Sequence, residues 1–229
     1  MRNVYLLIVI TVIATITGCA NNANIDSSDA FWKNKPKTVV IVTTKTGQPT
    51  YADENAQNYG AIGGLVSLVA SQQMETHLNH MDLNWYYQGL AEKFQTALLK
   101  ENIKAVIAEE HPYPEGSSLF GRPSLNRLQL AGEYNADEIL VLGLPFYGAR
   151  TPQGNLFSGT PPLEGACVLF AELSDPQHQT IYWRRTSRVT KPVPGNANQP
   201  PDFPNLTQTI MDSRQLAEDE LLDSFMSGR

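Results

Sequence analysis

The stretch LAGEYNADEILVLGL, from Leu130 to Leu144, decides the fold class because it joins a helical segment directly to a strand. Its first part continues a helical pattern that begins near Pro123, since proline suits the first turn of a helix. Its second part, from Glu138 to Leu144, is mostly apolar and has the length of a strand. The stretch therefore predicts a helix that leads straight into a strand.

Helical and strand patterns alternate on both sides of this stretch. The predicted strands are Lys37 to Thr44, Ile103 to Glu110, Gly165 to Leu173 and Gln179 to Thr190, and the other predicted helices are Leu83 to Asn102 and Thr207 to Met226. The short SDPQ turn before the last strand predicts an antiparallel hairpin. The order predicts an α/β (α+β) fold, a single mixed-sheet sandwich with helices packed on the sheet.

The closing helix and the first long loop carry more detailed expectations. The apolar positions of the closing helix predict five core contacts: Ile210, Leu216, Leu221, Leu222 and Phe225. The segment GQPTYADENAQN, from Gly47 to Asn58, has the composition of a loop.

The amino-terminal sequence MRNVYLLIVITVIATITGCA has the architecture of an export signal, with Arg2 followed by an apolar run. The run is shorter than the roughly 20 residues of a membrane-spanning helix, which makes an uncleaved anchor the weaker interpretation. Its end, ITGC, resembles the lipobox of bacterial lipoproteins. That resemblance implies cleavage before Cys19, acyl chains such as palmitate on this cysteine, and attachment to the membrane through them. Because no Asp follows Cys19, it also implies an outer-membrane, periplasm-facing location.

These features predict three parts of the chain. Residues 1–18 are expected to be a signal peptide, residues 19–36 a flexible polar tether, and residues 37–229 a periplasmic α/β domain. Phe31 and Trp32 interrupt the polar composition of the tether, and we expect them to dock on the domain rather than to lie at the membrane interface.

Net charge, cysteine count and histidine spacing argue against several classes of function. A net charge of −6 argues against nucleic acid as a partner, because nucleic-acid binding needs a basic patch. With Cys19 lipidated, Cys167 has no disulfide partner, and its apolar surroundings predict a small buried residue rather than a nucleophile. His77 and His80 are three residues apart but lack a third ligand, so we predict no metal site and no cofactor.

A glycine-rich apolar stretch, YGAIGGLVSLVASQQMETH, fills residues 59–77. It lacks the spacing of a dinucleotide fingerprint and the Lys of a phosphate-binding loop. On a helix, four of its small residues would form a smooth stripe that permits close approach of another backbone: Gly60, Gly63, Gly64 and Ser67. The stripe predicts a packing surface, either against the domain's own sheet, against a partner or second copy, or at the bilayer.

The WRRTSR segment contains the clearest basic cluster of the sequence. Arg184 and Arg188 fall on one face of the predicted strand, and Trp183 and Arg185 fall on the other. The arginines are interpreted either as charges that guard an edge strand or as a patch for an anionic partner.

The order of elements resembles a periplasmic α/β domain found in bacterial envelope proteins. The residues that carry the resemblance are Ala136 and Asp137 before the apolar strand, within the layout from Lys37 to Thr190. The same domain occurs at the amino terminus of the Tol-system propeller protein, in the curli secretion lipoprotein and in lipoprotein activators of penicillin-binding proteins. The resemblance implies a binding module without catalytic residues, in which residues 59–77 are an insertion.

The sequence therefore predicts a non-catalytic accessory or scaffold subunit of a cell-envelope machine, anchored at Cys19, that binds an envelope protein. The expected partner surfaces are the small-residue stripe and the face of Arg184 and Arg188. One alternative is a self-assembling subunit, associated with a ring or pore, that uses the glycine-rich stretch. Another is an envelope hydrolase, for which the sequence offers only adjacent acidic pairs such as Glu109 with Glu110 and Asp137 with Glu138.

Overall fold

The computed structural model describes residues 24, 25, 29–45, 50–53, 72–82, 85–108, 111–112, 126–152, 163–195, 202–227 and 229. The helices are α1 (Asp29–Lys33), α2 (residues 72–79), α3 (Ala91–Lys100, preceded by a π-helical turn at Trp85–Leu90), α4 (Arg127–Tyr134) and α5 (Pro204–Met226). The strands are β1 (Thr38–Lys45), β2 (Thr50–Asp53), β3 (Lys104–Ile107), β4 (His111–Pro112), β5 (Glu138–Thr151), β6 (Glu164–Ser174) and β7 (Ile181–Pro192).

The strands form one open mixed sheet with the order β3-β1-β5-β6-β7. Strand β1 pairs in parallel with β3 and β5, whereas β5–β6 and β6–β7 are antiparallel. Strand β2 joins β5 beyond the end of β1, and the two-residue β4 pairs only with β1. The predicted mixed sheet and the predicted β6–β7 hairpin are confirmed.

Helices cover both faces of this sheet. On one face, α2, α3 and α5 enclose a large core that includes Phe94, Trp183 and Phe225. On the other face, α4 covers a smaller core with Val40, Val42 and Leu130 among its members. Residues Val39 to Val42 are fully buried on both sides of β1, which explains their continuous apolar sequence.

Asp137, the acidic residue directly before the apolar strand β5, has a structural role. Its Oδ2 accepts hydrogen bonds from the backbone N–H groups of Lys37, at 2.8 Å, and Thr38, at 2.9 Å. Its own N–H donates to the carbonyl of Thr38 at 2.9 Å. The residue therefore ties the start of β5 to the start of β1 and sets their parallel register.

The prediction of a loop from Gly47 to Asn58 is wrong at Thr50 to Asp53, which form strand β2 and pair in parallel with Gly148 to Thr151. This pairing is possible because β5 continues to Thr151, past the predicted end at Leu144, with a register shift between Gly143 and Phe146. Pro145 lies within that shift, where a missing N–H is tolerated.

The prediction for α5 is confirmed for most positions and wrong for Leu216. Ile210, Leu221 and Phe225 are fully buried, and Leu222 packs against the core. Leu216 is 46% exposed because the buried series runs through the neighbouring Ala217. No helix among the described residues is long and apolar enough to cross a bilayer.

Candidate functional site

The sequence placed its candidate functional residues in three regions, of which the structure describes one. Arg184 and Arg188 lie on β7, an edge strand of the sheet. The lipidation candidate Cys19 and the small-residue stripe, Gly60, Gly63, Gly64 and Ser67, lie outside the described residues. The candidate site is therefore the outer edge of β7 and the segments packed against it.

The interpretation of Arg184 as part of an exposed face is wrong, because this residue is only 6% exposed. Its cross-strand partner on β6 is Glu172, which is 3% exposed. The Arg184 side chain donates from Nε and Nη2 to Glu172 Oε2, at 2.7 and 2.6 Å. The arginine is thus an internal cation that joins the last two strands.

Glu172 is the centre of a buried ion cluster. Its Oε1 accepts a hydrogen bond from Arg127 Nη2 on α4 at 2.8 Å and another from His178 Nε2 at 2.7 Å. With the two bonds from Arg184, these contacts fill the acceptor positions of a carboxylate. Burial opposes ionisation, but the surrounding cations hold the pKa of Glu172 below its usual range.

His178 enters the cluster from the tight turn between β6 and β7. Its φ of 56° is left-handed, and the turn is closed by Asp175, whose Oδ1 accepts from the N–H of Gln179 at 3.0 Å. Because an ionised carboxylate can only accept hydrogen bonds, the Nε2 atom of His178 is the donor in its bond to Glu172. The hydrogen bond that closes this turn therefore helps to position the His178 imidazole beside the Glu172 carboxylate.

The opposite face of β7 packs against helix α5. Ser187 Oγ donates to Glu220 Oε2 at 2.6 Å, and Arg185 Nη2 donates to Glu220 Oε1 at 3.2 Å. Trp183 is fully buried there and its Nε1 donates to Ser224 Oγ at 3.3 Å. The predicted separation of Trp183 and Arg185 from Arg184 by strand alternation is confirmed.

Arg188 is the residue of the predicted pair that is exposed. It pairs across the sheet with Val168, four positions beyond Arg184 along β7. Its guanidinium is therefore available at the surface for an anionic group, whereas that of Arg184 is enclosed.

The amino-terminal segment adds a short bridge to the free side of β7. Ile25 N–H donates to the carbonyl of Arg184 at 2.8 Å, and Arg184 N–H donates back to the carbonyl of Ile25 at 3.1 Å. The side chain of Asn24 extends the contact by accepting from the N–H of Thr186 at 3.1 Å. Sequence analysis missed this bridge, since a single apolar residue in a polar segment gives no strand signal.

Helix α1 fixes the same segment a few residues later. Phe31 is 2% exposed and Trp32 is 7% exposed, and both belong to the large core. Their rings lie 6.2 and 5.3 Å from the ring of Phe225 on α5. The expected docking of Phe31 and Trp32 is confirmed, and the later part of the predicted flexible tether is packed on the domain.

A second ionic group links α3 to α5 within the large core. Glu218 is 3% exposed and forms ion pairs with Lys93 and with Arg214, the latter at 3.3 Å. Cys167, also fully buried, lies on the same side of the sheet, and burial raises the pKa of its thiol. This environment suppresses the thiolate that a nucleophile needs.

The two histidines weighed as metal ligands are engaged separately. His77 Nε2 is 2.7 Å from Thr207 Oγ1, and His80 Nδ1 is 2.6 Å from the carbonyl of Thr76. Across the described ranges, no group of three metal-ligating side chains is placed to hold an ion.

The chain matches no family model and no curated protein sequence. Among solved structures it is similar to lipoprotein GNA1162 from Neisseria meningitidis, at 12% identity over 79% of this chain and 99% of the other, with a TM-score of 0.35. It is also similar to the hypothetical protein CT253 from Chlamydia trachomatis, at 11% identity over 83% and 98%, with a TM-score of 0.42. The LpoB C-terminal domain from Salmonella enterica matches at 12% identity over 72% and 96%, with a TM-score of 0.21. At these values the likenesses carry no argument about function.

Proposed function

We propose that this protein is an outer-membrane-anchored periplasmic lipoprotein that acts as a non-catalytic accessory subunit of a cell-envelope machine. The observation that carries the proposal is the lipobox-like ITGC at residues 16–19, followed within a few residues by a segment bonded to the domain at Ile25. The acyl chains on Cys19 are the membrane attachment, and the α/β domain is the part presented to a partner.

The non-catalytic part of the proposal is supported by the way that ionisable groups are used. Glu172 accepts hydrogen bonds from two arginines and a histidine, and Glu218 is paired with a lysine and an arginine. Such paired ionisable groups join secondary-structure elements together. They resemble structural ion clusters more than a substrate cleft with a poised acid and base.

The mechanism is confinement to one layer of the envelope. A protein attached to the same membrane as its partner meets that partner at a far higher effective concentration than a free one, so modest surface affinity is sufficient. The surface proposed for the protein partner is the small-residue stripe, Gly60 to Ser67, as predicted from the sequence. Arg184 is not part of a partner surface, because it is buried.

The anchor is tested by labelling cells with a palmitate analogue and separating their membranes. We expect the wild-type chain to carry label and to sediment with the outer membrane. Cys19→Ser should lose both properties, while Cys167→Ala, the matched control at the other cysteine, should keep them. Unlabelled wild-type protein in the soluble fraction would overturn the proposal.

The accessory role is tested by in-cell cross-linking followed by capture from solubilised membranes. We expect one envelope protein to be captured with the wild type and to be lost with Gly64→Leu. Capture of the chain's own copies alone would favour the self-assembling alternative. A small-molecule turnover that disappears with a single Glu→Gln change in a folded variant would contradict the non-catalytic role.

A further inference from the structure

We infer that the link between Cys19 and Asn24 is a short leash that holds the β7 edge against the lipid headgroups, with Arg188 as the residue that contacts their phosphates. The inference rests on the proposed lipidation of Cys19. It adds to that proposal an orientation of the domain and a lipid-facing surface.

The first step is the length of the leash. Only five peptide steps separate Cys19 from Asn24. A fully extended chain covers at most about 3.6 Å per residue, so the leash reaches no further than about 18 Å. This is less than the roughly 19 Å between strands β7 and β3, which lie four strand spacings apart in the sheet.

The second step is that the end of the leash is fixed to the domain at two levels. Ile25 exchanges two backbone hydrogen bonds with Arg184, and Asn24 accepts one from Thr186. Beyond them, Phe31 and Trp32 are buried in the large core. The proposed lipid at Cys19 is therefore connected to β7 through only a few residues.

The third step is the direction in which the leash leaves. The bridge is antiparallel, with Ile25 opposite Arg184 and Asn24 bonded to Thr186. The amino-terminal end of the segment thus points along β7 toward Arg188 and Thr190, both of which are exposed. The chain therefore leaves the bridge at the end nearer Arg188.

The last step is the chemistry of Arg188. The neighbouring cations on the other face of β7 are engaged by α5, since Arg185 pairs with Glu220 and Lys191 with Asp212. A guanidinium matches the geometry of a phosphate oxygen pair and is more weakly hydrated than an ammonium group. Arg188 is therefore suited to the phosphodiester groups of the bilayer that the leash brings within reach.

The test uses the full lipidated chain in vesicles of phosphatidylethanolamine and phosphatidylglycerol that carry an energy acceptor on the headgroups. A donor dye is attached at Thr190→Cys on the β7 edge or at Lys104→Cys on β3. Both positions are exposed, and Cys167 is buried with a raised thiol pKa, so it should not react. The two edges are four strand spacings apart, about 19 Å, so we expect about twofold more transfer from position 190.

Two pairs of variants test the cause of that difference. Ile25→Pro removes the N–H that bonds to Arg184, while Ile25→Val keeps it, so only the proline variant should equalise transfer from the two edges. Inserting a long Gly/Ser segment between Asn21 and Asn22 should equalise it as well. Arg188→Glu should lower transfer from position 190, and Arg188→Lys should largely retain it.

Equal transfer from both edges in the lipidated, vesicle-bound wild type would overturn the inference and leave the proposed lipidation intact. An unlipidated protein that does not bind vesicles would instead overturn the proposed function itself. If adding the captured envelope protein lowers transfer from position 190 in the wild type but not in Arg188→Glu, Arg188 contacts that protein and not the lipid, which also overturns the inference.

Discussion

Glu172 on β6 and Arg184 on β7 are direct cross-strand partners that are both buried, with the carboxylate bonded to the guanidinium at 2.6 and 2.7 Å. The basic segment of β7 is therefore partly an internal feature of the fold. Its role at this position is to join the edge strand to β6 and, through Arg127, to α4.

Replacing Glu172 by Gln should destabilise the protein strongly. The change removes the charge that accepts from Arg184 and Arg127 in the interior, and breaking a buried ion pair in this way costs about 3 kcal/mol or more. We expect this loss in the free energy of unfolding measured with urea. The matched control is Glu220→Gln, a partly exposed carboxylate whose loss should cost less than about 1 kcal/mol. Equal effects of the two changes would contradict the cluster's importance.

The same variant should also change the response to acid. Because the folded-state pKa of Glu172 lies below the ordinary 4.5, its contribution is present above that pH and is lost as the pH falls below it. Wild-type stability should therefore fall more steeply below pH 4.5 than that of Glu172→Gln. Urea titrations at a series of pH values measure both slopes, and parallel slopes would contradict this assignment.

Glu138 should produce the opposite pH dependence. Burial raises the pKa of its carboxyl to about 7, although a hydrogen bond from Tyr182 favours the ionised form. An acid with a raised folded-state pKa stabilises the fold below its unfolded pKa, and this contribution is lost as the pH rises toward 7. Glu138→Gln should therefore gain stability relative to the wild type between pH 5 and 7.5, as followed by urea unfolding. Carboxyl-carbon NMR of the wild type should show the titration near neutral pH, and an ordinary value would contradict it.

Gly148 should not tolerate a side chain. Its φ of 149° is unfavourable for other residues, and a Cβ would lie 2.1 Å from the carbonyl oxygen of Thr50 on β2. Gly148→Ala should cost more than about 1 kcal/mol and expose the amides of β2 to hydrogen exchange. Gly132→Ala, in helix α4 with open space around it, should instead stabilise by up to about 1 kcal/mol. A neutral Gly148→Ala would show that the β2–β5 pairing is not required.

Phe31 should behave as a core residue even though it precedes the predicted domain. It is 2% exposed and contacts Trp32 and Phe225, so Phe31→Ala should cost about 3 kcal/mol in thermal or urea unfolding. Phe31→Leu keeps most of the apolar volume and should cost clearly less. An effect below about 0.5 kcal/mol for the alanine variant would mean that the segment is attached only weakly.

The elements that could be predicted from the sequence are those whose own residues carry the signal. The apolar run of β1, the alternating residues of β7 and the helical period of α5 are local patterns, and each led to the observed element. The prediction failed at β2, because TYAD becomes a strand only by pairing with the extension of β5. Tertiary hydrogen bonding decided the structure of a segment whose propensity is weak.

The same difference between local sequence patterns and tertiary contacts applies to the candidate site. Strand alternation correctly separated Arg184 from Trp183, but it could not reveal that Arg184 is buried, bonded to Glu172 on β6 and bridged by Ile25. One signal was present in the sequence, since Glu172 is the single carboxylate inside the apolar run GACVLFAEL. A charge in such a run requires a counter-charge, and the short hairpin places Arg184 opposite it.

The contact of Phe31 and Trp32 with Phe225 also constrains when the protein can finish folding. Phe31 and Phe225 are 194 positions apart, so nearly the whole chain must be available before these rings can be buried. Closing so long a loop is among the slow steps of folding, because its entropy is lost before the contacts form. During synthesis, the rings of Phe31 and Trp32 therefore stay unburied until α5 has been made.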